Sequence, residues 1–400
     1  MNSDIRPQLG RLQTMALGAA VVGVVLCVLS LLSEHGREQF FQSYLFAYIF
    51  WWGVTTGSLG LLMLHHVVGG GWGFIIRRPL EAGTRLLPLM AVLFIPIALG
   101  IPHLYEWAHA EAAHDKVLAA KSAFLNVPFF LGRAVLYFVI WTALAFFFNK
   151  WGATQDERND PKIAQRLTLM GPPGIILYVL TITFAVVDWV MSIEPHWFSS
   201  IIGLLYVAGQ ALSTLALMLV LLSFIAGKTP IADEVPRGYF RDLGNLLLAF
   251  GLLWAYMSFS QFLITYSGNS AEEVPWYVHR TNGGWEWVAR TLIPLHFALP
   301  FLVLLIGSDV KRKPTRLAKV AAFIILMRFV DLMWWIVPTF REHISFTFSD
   351  IGAPLALGGI WLAMWAWQMK GRQLVPLHDP RLEGNWPVPH NEHGEVVGHG

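Results

Sequence analysis

The chain contains few charged residues and only one cysteine. Charged side chains make up 14% of its 400 residues, whereas soluble domains carry about 25%, and this leaves too little charge for a water-exposed surface. The single cysteine, Cys27, excludes a disulfide framework and any cysteine-ligated zinc, c-type haem or iron–sulfur site held by this chain alone. A glycine-rich phosphate loop is also missing, so a nucleotide site is not expected. No nucleic acid partner is expected either.

Long apolar runs dominate what is present. Ten runs have about the 20 residues that cross the hydrocarbon of a bilayer, and they predict an all-α integral membrane protein. The predicted spans are 9–32, 43–67, 86–104, 126–148, 169–193, 199–226, 243–266, 285–306, 317–337 and 348–369.

The basic residues between the spans predict an orientation. Most of the Lys and Arg residues outside the spans fall on the side that holds both termini. Because such residues are retained in the cytoplasm, we expect both termini to be cytoplasmic, together with a C-terminal tail over 371–400.

Spans 2–5 and 6–9 look like two copies of one four-helix unit. Gly53 in the first helix of one unit matches Gly209 in the other, and Asp188 in the fourth helix matches Asp331. A proline follows each of the two aspartates seven residues later. An even number of helices per unit predicts two parallel bundles, with the first and last spans outside them. The repeats extend over about 43–193 and 199–337 of a transmembrane domain that covers 1–370.

Ionisable residues inside the spans are costly in lipid and are therefore functional candidates. Arg133 and Asp188 lie at similar depth in the outer halves of adjacent spans, where they could form an ion pair. A structural pair and a catalytic site both explain them. Glu194 and His196 follow Asp188 outward, and this order is typical of a path that releases protons to the outside.

The second repeat holds a comparable group. Arg328 and Asp331 are spaced i, i+3 on one face of span 9 and are expected to pair. His296 in span 8 could join them in a proton relay, although a buried histidine more often has only a packing role. We expect no haem, because no two histidines face each other at matched depth. The histidine and acidic residues at 103–115 could bind a metal ion, but such a cluster is more often a solvated edge or a docking face, and we expect no metal.

Three segments resemble the NrfD-like membrane subunits of bacterial alternative complex III, a quinol:electron acceptor oxidoreductase. They are KSAFLNVPFFLGRAVLYF at 121–138, DWVMSIEPHWFS at 188–199, and Pro300-Phe301 followed by Lys311-Arg312. The modest length of the chain is more similar to the ActF member of that family than to ActC.

The resemblance implies a subunit in the bacterial inner membrane that is not catalytic alone and carries no cofactor of its own. Asp188 would take the acid position of a menaquinol or ubiquinol site, with Arg133 and Trp189 beside it. The implied partners are an ActC-like homologous membrane subunit, haem-c and iron–sulfur subunits on the outer face, small membrane subunits and lipid. A proton path and a scaffold are further contributions that the resemblance allows. The alternatives are a secondary transporter and a purely structural membrane subunit.

Overall fold

The computed structural model describes residues 5–33, 35–158, 160–226, 237–371 and 379. These residues form helices and no strand, and ten of the helices are long and apolar enough to cross a membrane. The predicted all-α, multi-pass architecture is therefore confirmed. The ten helices are α1 (Arg6–Leu31), α2 (Gly36–Val68), α3 (Gly71–Leu99), α4 (Val127–Glu157), α5 (Pro161–Ile193), α6 (Ile202–Ile225), α7 (Gly238–Gly268), α8 (Trp285–Ile306), α9 (Pro314–Thr339) and α10 (Phe348–Met369).

Helices α2–α5 are called here the first bundle and helices α6–α9 the second bundle, after the predicted repeats. Helix α2 packs against α3 and α5, and α6 packs against α7 and α9. The leading helices α2 and α6 also contact each other directly. At Gly57 of α2, an added Cβ would collide with Thr214 of α6, so the missing side chain is what lets the two backbones approach.

Both ends of the membrane domain lie at one face. Arg6 and Lys370 line the same cavity there, and we call this the terminal face. The opposite, distal face carries the connections that follow α1, α3, α5, α7 and α9. The assignment of the terminal face to the cytoplasm stays a prediction. Of the predicted tail at 371–400, all but Gly371 and Asp379 lies outside the described residues.

Several helices extend beyond the predicted spans, and α3 differs most. It begins at Gly71, so the predicted start at 86 is wrong. The added turns carry Arg77, whose Nε donates to Glu81 Oε1 at 3.0 Å, while its Nη1 and Nη2 donate to Asp379 Oδ2 at 2.9 Å and to Gln155 Oε1 at 2.7 Å. A prediction from hydropathy alone assigns these charged residues to a loop. In the structure they pair with one another, so the helix that carries them can be buried although it is not apolar.

Helices α1 and α10 pack along each other through small residues. Gly23 of α1 faces the backbone of Gly352 and Ala356, and Gly359 of α10 faces Ala16 and Ala20. In a membrane the lipid tails are as apolar as the side chains, so helices associate through the close van der Waals packing that small residues allow.

Replacing Gly23 with alanine is expected to destabilise this pair by about 1–3 kcal/mol, the usual range for overpacking. The new methyl group would collide with the backbone of α10, which cannot move away as a flexible side chain could. Gly18→Ala in the same helix is the matched control, because nothing lies within 4 Å of a Cβ there. Thermal unfolding in detergent should show a lower midpoint for Gly23→Ala alone, and equal midpoints would contradict the packing.

Candidate functional site

The first bundle joins Arg133 to Asp188, as their matched depth predicts. Arg133 Nε donates to Asp188 Oδ2 at 2.9 Å and Nη2 donates to Oδ1 at 2.7 Å. The Tyr137 hydroxyl adds a hydrogen bond to Oδ2 at 2.8 Å. Asp188 is completely buried, so its charge is held by a bidentate pair inside the bundle.

Aromatic rings enclose this pair. The Arg133 guanidinium lies 3.8 Å from the ring centre of Phe124 and 4.3 Å from that of Phe129, in cation–π geometry. Trp189 is also fully buried, and its ring centre lies 4.7 Å from those of Trp52 and Phe94. Protein groups already satisfy the Asp188 carboxylate, and the assignment of a quinol site to Asp188, Arg133 and Trp189 stays a prediction.

In the second bundle, Arg328 and Asp331 form the expected pair on α9, and both are buried. The Arg328 guanidinium lies against Gly209 of α6, where a Cβ would collide with it. Arg328 Nε and Nη2 make no hydrogen bond within the described part of the chain. Buried donors in this condition are rare, and they indicate a functional group or a bound molecule.

His296 lies in an irregular turn of α8. Residues Leu292–Ala298 form a π-helical turn, a distortion that occurs frequently at functional sites. The His296 ring centre lies 4.1 Å from that of Trp254 on α7, and the imidazole is close enough to Arg328 to interact with its charge. Neither ring nitrogen has a hydrogen-bond partner among the described residues.

A cavity of about 540 Å³ opens beside Asp331, in the distal half of the second bundle. Trp254, Trp334 and Trp335 line it, and Asp331 supplies the one carboxylate among the lining residues. This volume is typical of pockets for small organic molecules. The family resemblance implies a quinol site at Asp188, and nothing in the sequence indicates this cavity except the repeat match between Asp188 and Asp331.

The rim of the cavity faces sideways, toward the surroundings of the helix bundle. Phe259 and Phe262 of α7 and Ile293 of α8 line the cavity and are 61%, 45% and 71% exposed. These residues lie in the membrane-spanning part of their helices. A molecule dissolved in the bilayer could therefore enter between α7 and α8.

Arg280, in the connection between α7 and α8, contacts two residues of the cavity wall, Trp276 and Trp335. Its Nη1 donates to Glu194 Oε1 at 2.7 Å, and its Nε and Nη2 donate to the carbonyl oxygen of Trp335 at 3.2 and 2.5 Å. Thr339 Oγ1 also donates to Glu194 Oε1, at 2.6 Å. Burial lowers the pKa of Arg280 to about 10, against the opposing effect of Glu194. Glu194 therefore lies with the second bundle, although it follows Asp188 in sequence.

His196 lies apart from Glu194. It is exposed at the distal face, where its Nε2 is 2.9 Å from Asp115 Oδ2. The backbone N–H of Leu118 lowers the pKa of the Asp115 carboxyl, and His196 and the backbone N–H of Val117 act in the same direction. A role for His196 in proton release stays a prediction, and the described structure links it to Asp115 only.

The comparisons with known proteins leave the family open. The scan against protein-family models finds no match, and the search of curated proteins finds no significant similarity.

Proposed function

We propose that this chain is a quinol-binding membrane subunit of a quinol:electron acceptor oxidoreductase, and that the quinol ring binds in the second-bundle cavity against Asp331. The observation that carries the proposal is the cavity itself: it is apolar, opens sideways in the membrane-spanning region and has a buried carboxylate in its wall. An isoprenoid quinol has the matching properties, because it is a flat ring with two hydroxyl groups on a tail that stays in the lipid.

The tryptophans of the cavity suit a flat aromatic ring. Trp254, Trp334 and Trp335 present large rigid faces, and aromatic pairs gain about 0.5–1.5 kcal/mol beyond the burial of their area. At the distal end, Ser199 Oγ donates to Gln261 Oε1 at 2.5 Å, and both residues line the cavity. The cavity thus offers polar groups in two places, as a molecule with two oxygen atoms requires.

The chemistry of oxidation assigns roles to the buried charges. A quinol loses two electrons and two protons to become a quinone. Asp331 would accept a proton from a ring hydroxyl as a general base, while Arg328 holds the carboxylate in place. His296 has free ring nitrogens within the described structure and would pass a proton on.

The exit for protons and electrons lies toward the distal face. Glu194 pairs with Arg280, and the half-exposed side chain of His279 is 3.7 Å from its carboxylate. The single cysteine leaves the chain without the ligands of an iron–sulfur cluster. The electrons would therefore pass to a one-electron acceptor, an iron–sulfur or haem-c centre, on a partner subunit at that face.

Filling the cavity tests the proposal directly. Ala289 of α8 lines the cavity, and Ala289→Leu is expected to weaken binding of a short-chain ubiquinone or menaquinone analogue by at least about tenfold, because the added carbons occupy the space of the ring. Ala143→Leu, at an exposed position of α4, adds the same atoms outside the cavity. Titration of the purified full chain by quenching of tryptophan fluorescence measures both, and equal affinities would contradict the proposal.

A further inference from the structure

A second cavity, of about 650 Å³, opens at the terminal face between the ends of α1, α3 and α10. Three basic residues line it, one from each helix or its immediate end: Arg6, Arg85 and Lys370. The remaining lining residues in the described chain are Trp367, Gln368 and Gly371. No carboxylate is among these six residues.

Two of the basic residues donate their hydrogen bonds to uncharged groups, and Glu81, whose charge acts on Arg85, is already paired with Arg77 and Arg78. Arg85 Nε donates to Asn149 Oδ1 at 2.8 Å, and its Nη1 donates to Gln368 Oε1 at 3.5 Å. Lys370 Nζ donates to Gln13 Oε1. All of these acceptors are neutral amides, which position the cations without cancelling them, so the cavity favours an anion.

The depth of the cavity matches the headgroup layer of a bilayer. Arg85 lies where the charged extension of α3 gives way to its apolar part, and Lys370 follows the last turn of α10. The Trp367 side chain is 56% exposed, in the position of the aromatic residues that mark membrane interfaces.

Apolar surface continues from the cavity into the membrane. Pro88, Val92, Ile95 and Leu99 follow Arg85 on one face of α3, and all four are exposed. On α10, Met364 lies one turn from Trp367 on its exposed side. This surface can accept acyl chains whose headgroup lies among the basic residues.

We infer that the terminal-face cavity lined by Arg6, Arg85 and Lys370 binds the phosphate headgroup of an anionic phospholipid, with the acyl chains along the exposed face of α3. Basic pockets between membrane helices recognise such headgroups. A free phosphate ion shares the headgroup chemistry but would make no use of the apolar surface of α3.

Native mass spectrometry of the delipidated full chain in detergent tests the inference. Dioleoyl phosphatidylglycerol and dioleoyl phosphatidylcholine are added separately, and the bound lipid is counted at each concentration. The wild-type chain is expected to bind phosphatidylglycerol about tenfold more tightly than phosphatidylcholine, and the combined Arg85→Gln and Lys370→Gln variant is expected to lose that preference.

Lys162→Gln combined with Arg166→Gln is the matched control, because it removes two exposed charges at the terminal end of α5 that line no described cavity. This control should keep the wild-type preference. If the double variant does not fold, Lys370→Gln alone should still weaken phosphatidylglycerol binding several-fold, since Lys370 lies at a helix end and is only partly buried.

Three results would overturn the inference. The first is equal binding of the two lipids by the wild-type chain, and the second is an unchanged preference in the double variant. The third is complete displacement of phosphatidylglycerol by excess inorganic phosphate, which would assign the site to a free anion instead of a lipid.

Discussion

Asp331→Asn is expected to lower quinol-dependent reduction of the electron acceptor by about 100-fold or more in the assembled complex, within the range attributed to general acid–base groups. Asparagine has nearly the same shape as aspartate, but it cannot accept a proton from the quinol. The cavity keeps its volume, so quinol affinity should change much less than the turnover number. Steady-state kinetics on purified complex, normalised to the amount assembled, separate the two effects.

Asp350→Asn is the matched control for the loss of a buried carboxylate. Arg341 holds Asp350 at 2.7 and 3.0 Å at the start of α10, so this variant also leaves a buried arginine without its partner. Asp350 does not line the second-bundle cavity, and the complex that assembles should turn over normally. Turnover of the Asp331→Asn complex within about twofold of wild type would rule out Asp331 as the base.

Asp188→Asn distinguishes the two bundles. If the quinol is oxidised at the second-bundle cavity, this variant should reduce the yield of folded chain, because Arg133 loses its bidentate partner, and should leave specific activity intact. If the site implied by the family resemblance is correct, Asp188→Asn should abolish turnover and Asp331→Asn should not.

Arg280→Gln is expected to destabilise the distal half of the second bundle by about 3–5 kcal/mol, the usual cost of removing one partner of a buried ion pair. Arg280 is fully buried. Its loss leaves Glu194 without its cation, and the carbonyl oxygens of Trp335 and Trp276 lose their donor. The connection between α7 and α8 would then be joined to α9 by fewer hydrogen bonds, although the bond from Trp334 Nε1 to the backbone carbonyl of residue 280 would remain.

Thermal unfolding in detergent measures this effect, and the midpoint should fall by several degrees. The control is Arg290→Gln, because Arg290 is exposed on the same face and lies 5.0 Å from the ring centre of Trp287. It should unfold as the wild-type chain does. A wild-type midpoint for Arg280→Gln would show that the contacts of Arg280 contribute little to the fold.

The ten-helix architecture could be predicted because lipid imposes one simple rule. Each crossing needs about 20 apolar residues, and an apolar run as long as 199–226 therefore predicts a membrane-spanning helix. The same rule fails at the helix ends. The residues from Gly71 to Thr84 are helical because Arg77 and its partners satisfy one another, and pairing between distant segments is invisible to hydropathy.

The candidate site was predictable in part. The spacing of Arg328 and Asp331 on one helix predicts their pairing, and the equal depth of Arg133 and Asp188 indicates theirs. The cavity could not be predicted, since its walls come from four helices and from the connections before α6 and α8. The direction of His296 depends on a π-helical turn, for which the sequence carries no clear signal.

The central claim is that quinol binds in the second bundle, and photolabelling tests it most directly. An azido-quinone analogue is bound to the purified full chain, illuminated, and located by mass spectrometry of the peptides. The account predicts labelling of the cavity walls, at Trp254 on α7 or at Trp334 and Trp335 on α9, that excess unlabelled quinone suppresses. Labelling confined to the surroundings of Asp188, with none on α7–α9, would contradict it.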